Sequence, residues 1–114
     1  MIMLEQNYNF LDLFNLMLHR AVTQKLRQDE GVLQIARNNL SRWLASESFA
    51  GNERSALLEW QEILENSTPE EIIKIITQDT DEGQRLRSSS PFAGVLSEAE
   101  RNKIWSECAE IRFV

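Results

Sequence analysis

Apolar residues recur at three- and four-residue spacing in one segment of this chain after another. That period confines it to amphipathic helices packed on a shared core. Phe10, Phe14, Met17, Ala21 and Val22 set the first stripe, widened by Leu13, Leu18 and Leu26, and predict a helix over about residues 9–28. Asp29-Glu30-Gly31 breaks it. Leu33, Ala36, Leu40, Trp43 and Leu44 share one face of a second helix over about 30–46. After Gly51-Asn52, with Asn52 a candidate N-cap, a third over about 53–65 carries Ala56, Leu57, Trp60, Ile63 and Leu64. The clearest start is Thr68-Pro69-Glu70-Glu71, which joins a capping hydroxyl, a proline at the first helical position and a glutamate at the third. Ile72, Ile73, Ile75 and Ile76 follow. Four β-branched residues open a strand reading, but the cap and the shortness of the run favour a buried helix. A short helix over about 80–88 precedes the Ser88-Ser89-Ser90-Pro91 loop. A second capping box, Ser97 to Glu100, starts a last helix that runs to about Glu110 with Ile104, Trp105 and Cys108 inward. The expected fold is all-α: a single-domain bundle of five or six helices spanning 1–114.

A chain of 114 residues is of ordinary domain size and buries roughly two-thirds of the surface exposed by its unfolded form. No apolar run approaches the roughly 20 residues of a membrane span. Met1-Ile2-Met3-Leu4 is short and followed by Glu5, so it fails as a signal peptide. The lone Cys108 forms no intrachain disulfide and fits a reducing, cytoplasmic setting. The net charge of −6 is unevenly spread: residues 46–82 hold ten acids against only Arg54 and Lys74, a net −8, and each flanking stretch is +1. Such a block repels phosphate backbones and attracts a basic protein surface, unless it is simply a solvated helix face.

No catalytic constellation emerges. His19 is the only histidine, without the converging ligands of a metal site or a partner at catalytic spacing, and reads as a surface or partly buried residue. Cys108 follows Trp105 on an apolar face and reads as core. Gly-rich phosphate loops and nucleophile elbows are missing from the sequence, and the carboxylates, Glu59, Glu62 and Glu70 among them, read as solvated faces. No cofactor or metal is expected. Trp43, Trp60 and Trp105 read as core anchors rather than a stacking platform for bases. Arg20, Lys25, Arg27, Arg37 and Arg42 make a modest basic cluster on the first two helices. It keeps a small DNA-associated transcriptional regulator as the alternative function.

The segment Gly83–Arg101 differs from the rest. It holds Arg85, Arg87, Ser88, Ser89, Ser90 and Phe92 in and beside a loop punctuated by Pro91 and Gly94. Ser90 before proline is pushed from helical geometry, and Gly94 permits a turn after Phe92. One arginine is expected to cap carbonyls or meet an acid of the central block, leaving the other for a partner. The serines satisfy loop backbone or face a partner, and Phe92 plugs the core or anchors an interface. These six residues are the candidate partner-binding set.

Residues 85–101, R-L-R-S-S-S-P-F-A-G-V-L-S-E-A-E-R, resemble a signature of short all-helical bacterial proteins, L-R-x-S-S-P-F-A-G-V-L-(S or T)-x-x-E-R. Leu18-His19-Arg20 and Arg42-Trp43-Leu44 fit the same pattern loosely. The resemblance implies an antitoxin-like partner of a nucleotidyltransferase-type toxin, the toxin being encoded by an adjacent gene. One departure stands out: the tryptophan expected directly after E-R is displaced to Trp105. The expected function is a protein–protein interaction module, with homodimerisation compatible, membrane excluded and nucleic acid disfavoured as partner.

Overall fold

The structure, a computed structural model, describes residues 9–113; the Met1–Leu4 stretch weighed above as a leader lies outside the described residues. These residues form an all-α bundle: α1 (Phe10–Gln28), α2 (Val32–Ala45), α3 (Asn52–Asn66), α4 (Pro69–Thr77), α5 (Asp81–Arg87) and α6 (Glu98–Phe113), with no strand among them. The long α1 is the hub, contacting α2, α4, α5 and α6, while α2 pairs with α3. Trp60, Leu16, Leu26, Ile72, Ile76 and Cys108 are fully buried. No helix of the described residues is long and apolar enough to cross a membrane.

Local chemistry explains most of the boundaries. Asn9 caps α1 by accepting the Asp12 N–H at 2.8 Å. Thr68 and Glu71 form the reciprocal box at the start of α4, with bonds of 3.1 and 2.8 Å. Ser97 and Glu100 repeat it at α6, at 3.1 and 2.8 Å. Each box satisfies two of the N–H groups that a helix start leaves unpaired.

Three expectations need correction. The cap position of α3 is Gly51, not Asn52: the chain turns there at φ +61°, where a side chain is disfavoured, and Asn52 already lies in the helix. The second helix starts at Val32 rather than Glu30 because Asp29 Oδ1 accepts the Gly31 N–H at 2.8 Å and closes a local turn first. Trp105 is not inward. Ile104 and Cys108, four apart, share the buried face of α6, and Trp105 sits about 100° around the helix from Ile104. It is 45% exposed, with its ring edge-on to Phe10 and Phe14 at 4.6 and 4.9 Å.

Gly83 fixes the corner between α4 and α5. A Cβ there would overlap the Gln78 carbonyl and lie 2.8 Å from Gln78 Cβ and 3.0 Å from Arg87 Nη1. Helix propensity alone makes alanine better than glycine by about 1 kcal/mol. Overpacking against backbone reverses the sign, and Gly83→Ala is expected to cost about 2 kcal/mol in urea denaturation. A gain in stability would show that the α4–α5 corner is looser than this.

Candidate functional site: the α5–α6 loop and its cleft

The carbonyls that end α5 are met by N–H groups of the following turn, Ser89 to Leu86 at 3.3 Å and Ser90 to Arg87 at 3.2 Å, and by side chains both local and from other helices. Ser88 Oγ–H donates to the Arg85 carbonyl at 2.6 Å and Trp60 Nε1–H to the Leu86 carbonyl at 2.9 Å. Ser89 Oγ reaches the Leu86 carbonyl at 3.5 Å, and Asn15 Nδ2 donates to the Arg87 carbonyl at 3.2 Å. Beyond the helix, Asn39 Nδ2 donates to both the Pro91 and Ala93 carbonyls at 2.8 Å. Its Oδ1 accepts Arg42 Nη2 at 2.8 Å. The loop turns at Gly94, φ +85°. The loop is tied to α1 and α2 by His19 and Asn39, and the end of α5 to α1 and α3 by Asn15 and Trp60.

The two arginines do different work. Arg85 is exposed and grips Glu59 with both terminal nitrogens, at 2.9 and 2.8 Å, and Glu82 at 2.8 and 2.7 Å. Those hydrogen bonds hold both carboxyls below their ordinary range. Arg87 is 2% exposed. Its Nη1 donates to the Gln78 carbonyl at 2.6 Å and more weakly to that of Ile76 at 3.4 Å, covering the C-terminal end of α4, where a cation is favoured. Nε and Nη2 are buried and have no hydrogen-bond partner among the described residues. Both arginines are thus engaged within the chain, Arg85 by the acids Glu59 and Glu82 and Arg87 by carbonyls, although Arg85 stays exposed.

Phe92 is buried, its ring edge-on to Trp60 at 6.0 Å and to His19 at 6.5 Å. Of the six candidate binding residues, Arg85 and Ser88 are exposed, Ser89 and Ser90 are half-buried, and Arg87 and Phe92 lie in the interior. Arg87 and Phe92 help to build the loop from inside, as a carbonyl-bound guanidinium and a packed ring, and Arg85 and Ser88 are the members of the set that it exposes.

His19 is buried rather than at the surface. Its Nδ1 lies 2.7 Å from the Asn15 carbonyl and its Nε2 2.7 Å from Ser90 Oγ. A carbonyl only accepts, so Nδ1 carries the proton, and Nε2 of the neutral ring accepts the Ser90 hydroxyl. Burial, with the nearby Arg87 charge adding to it, drives the imidazolium down to about 4, against the hydrogen bond to Asn15. A serine beside a histidine suggests nucleophilic catalysis, but Ser90 Oγ also accepts the Phe92 N–H at 3.2 Å. A base this weak is also far from the neutral range where general-base catalysis works best. The geometry makes the pair a latch tying the loop to α1.

Between α1, the loop and α6 lies an open cleft of about 450 Å³, lined by His19, Arg87, Ser88, Ser90 and Arg101 and by apolar side chains including Leu11 and Phe14. Asp12 stands on the same lining. Cys108 is fully buried, and burial pushes its thiol up, away from the reactive thiolate. Among the described residues no group of three metal-capable side chains converges. In the basic cluster of the first two helices Lys25 is neutralised by Glu100 at 2.8 Å, and Arg42 keeps its charge while its guanidinium donates to the Asn39 amide oxygen. Glu100 is brought down to about 2 by Lys25 and the Ser97 cap.

Sequence reasoning missed Asn39 and Asn15 and undervalued His19. The available signal was a polar residue inside an apolar stripe: Asn39 between Ala36 and Leu40, and His19 between Leu18 and Val22. Buried polar groups of this kind have partners: for Asn39 the loop carbonyls of Pro91 and Ala93, for Asn15 the Arg87 carbonyl, and for His19 the Asn15 carbonyl and the Ser90 hydroxyl. Comparisons with protein-family models, with curated proteins and with solved structures find no match for this chain.

Proposed function

We propose that the chain is a protein–protein interaction module that docks through α3, α4 and α5 on a basic surface of its partner, as the neutralising, antitoxin-like member of a bacterial two-protein system. The observation that carries this reading is the net −8 of residues 46–82 together with the exposure of Glu53, Glu62, Glu65, Glu70, Glu71, Asp79 and Asp81. Only Glu59 and Glu82 of the block are engaged in salt bridges within the described residues. Leu58, 45% exposed, stands one turn before Glu62, so the acidic face of α3 carries an apolar contact point at its centre. Apolar anchors surrounded by charge fit a docking surface whose charges steer encounter and whose buried centre slows dissociation.

The loop contributes through Arg85 and Ser88, its exposed members, which adjoin this face through the Arg85–Glu59 bridge. In the test, the product of the adjacent gene is to be co-expressed with this chain and the two purified together. Glu62→Lys with Glu65→Lys is expected to weaken the complex by about tenfold or more and to lower the association rate, with helicity unchanged by circular dichroism. Raising salt should weaken the parent complex in the same direction. Undiminished binding by the folded double variant would overturn the acidic-face reading.

A further inference from the structure

The acidic face leaves one apolar surface of the molecule unused. Leu11 is 64% and Trp105 45% exposed, two of the four large apolar side chains that stand out into solvent among the described residues. Phe14 joins them. Its ring meets that of Trp105 edge-on at 4.9 Å, and together with Leu11, one turn earlier on α1, it lines the open cleft of about 450 Å³. A contiguous apolar patch of this kind marks a contact surface, and an exposed tryptophan is a common anchor in one.

The charges around the patch indicate what covers it. Asp12 and Arg101 stand on the lining of the same cleft, and neither forms a salt bridge among the described residues. Arg101 lies one turn before Trp105 on α6, and Asp12 follows Leu11 on α1, so each charge flanks one of the two apolar projections. One face therefore carries knobs beside a hollow and an acid beside a base. An isologous contact between two copies needs this, because each element must find its complement on the same surface of the other copy. None of residues 46–82 lines the cleft. Two molecules of net charge −6 can thus meet here without opposing their acidic blocks, whereas a strongly basic partner is drawn to those blocks.

We propose that two copies of this chain pair through the α1–α6 face. Leu11 and Trp105 of each copy are buried against the cleft of the other, and Asp12 of each faces Arg101 of the partner subunit. The contact is independent of the acidic face, and neither reading depends on the other.

Sedimentation equilibrium of the full chain at low salt tests the pairing. The expected result is a species of twice the chain mass that dissociates on dilution. Leu11→Glu, a change at an exposed position, should raise the dissociation constant by about tenfold or more, with helicity kept by circular dichroism. Asp12→Arg and Arg101→Asp should each weaken the dimer, because a two-fold contact then sets like charges against each other twice. Mixed in equal amounts, those two variants should associate again, since both facing pairs are then of opposite sign. A chain that stays monomeric at millimolar concentration overturns the proposal and leaves the face to Met1–Tyr8 or to a foreign partner. A dimer that Leu11→Glu leaves unchanged overturns it by placing the contact elsewhere. So does a mixture of the two charge variants that associates no better than either alone.

Discussion

Phe92→Ala is expected to destabilise the protein by about 4 kcal/mol, the largest effect of any single change in this loop. The ring is 5% exposed and belongs to the main core. Truncation loses the transfer free energy of a buried aromatic and leaves a void that the surroundings fill only in part. It also removes two edge-to-face contacts, with Trp60 and with His19, each worth about 1 kcal/mol in other proteins. The neighbours have little freedom to collapse: Trp60 is held by its bond to the Leu86 carbonyl and His19 by bonds at both ring nitrogens. For a domain whose total stability is of the order of 5–15 kcal/mol, this brings unfolding within reach of ordinary temperatures. Urea denaturation followed by circular dichroism measures it. Phe92→Leu, which keeps much of the volume, should cost only about 1 kcal/mol. A loss below about 1 kcal/mol in the alanine variant would mean that the ring is dispensable to the core and reopen Phe92 as an interface residue. In binding experiments a failure of Phe92→Ala to bind would report lost folding, and Phe92→Leu is the informative variant.

The parts of this fold readable from sequence are those with local causes. Thr68 with Glu71, and Ser97 with Glu100, act within one helical turn, so their spacing is enough to announce a helix start. The same holds for the turn at Gly94. Arg87 is the opposite case. A charged residue at the end of a short helix is by default exposed, and nothing near it in sequence says otherwise. Its burial follows from the α4–α5 corner, where Gly83 lets the chain close on Gln78 and brings the carbonyls of α4 within reach of its side chain. Asn39 is hidden for a related reason: its partners, Pro91 and Ala93, lie 52 and 54 residues away. The candidate binding segment was therefore visible as an unusual stretch, while its division into an exposed edge and an interior framework was set by tertiary contacts.

The latch gives the fold a pH dependence with a definite sign. The His19 imidazolium is pushed from an ordinary 6.5 to about 4, chiefly by burial. Between those values the unfolded chain binds a proton that the folded chain refuses, so stability falls as pH falls across that window. A displacement of this size corresponds to about 3 kcal/mol at pH 4, vanishing above 6.5. Because His19 is the only histidine, a single imidazole Cε1–H signal reports it without assignment. Its titration midpoint in the folded protein should lie near 4. Carboxylates held low by partners, such as Glu100 at about 2, lose their stabilising effect mainly below the carboxylate range, and so act at the acid end of the histidine window and beyond. His19→Gln separates the two. At neutral pH it lacks the imidazole's paired bonds to Asn15 and Ser90 and should be less stable than the parent. Toward pH 4 the gap should close, because the parent alone carries the cost of keeping an imidazole neutral. A gap that stays constant over the window, or a midpoint near 6.5, would mean that the ring reaches solvent and that the loop is held by Asn39 and Phe92 instead.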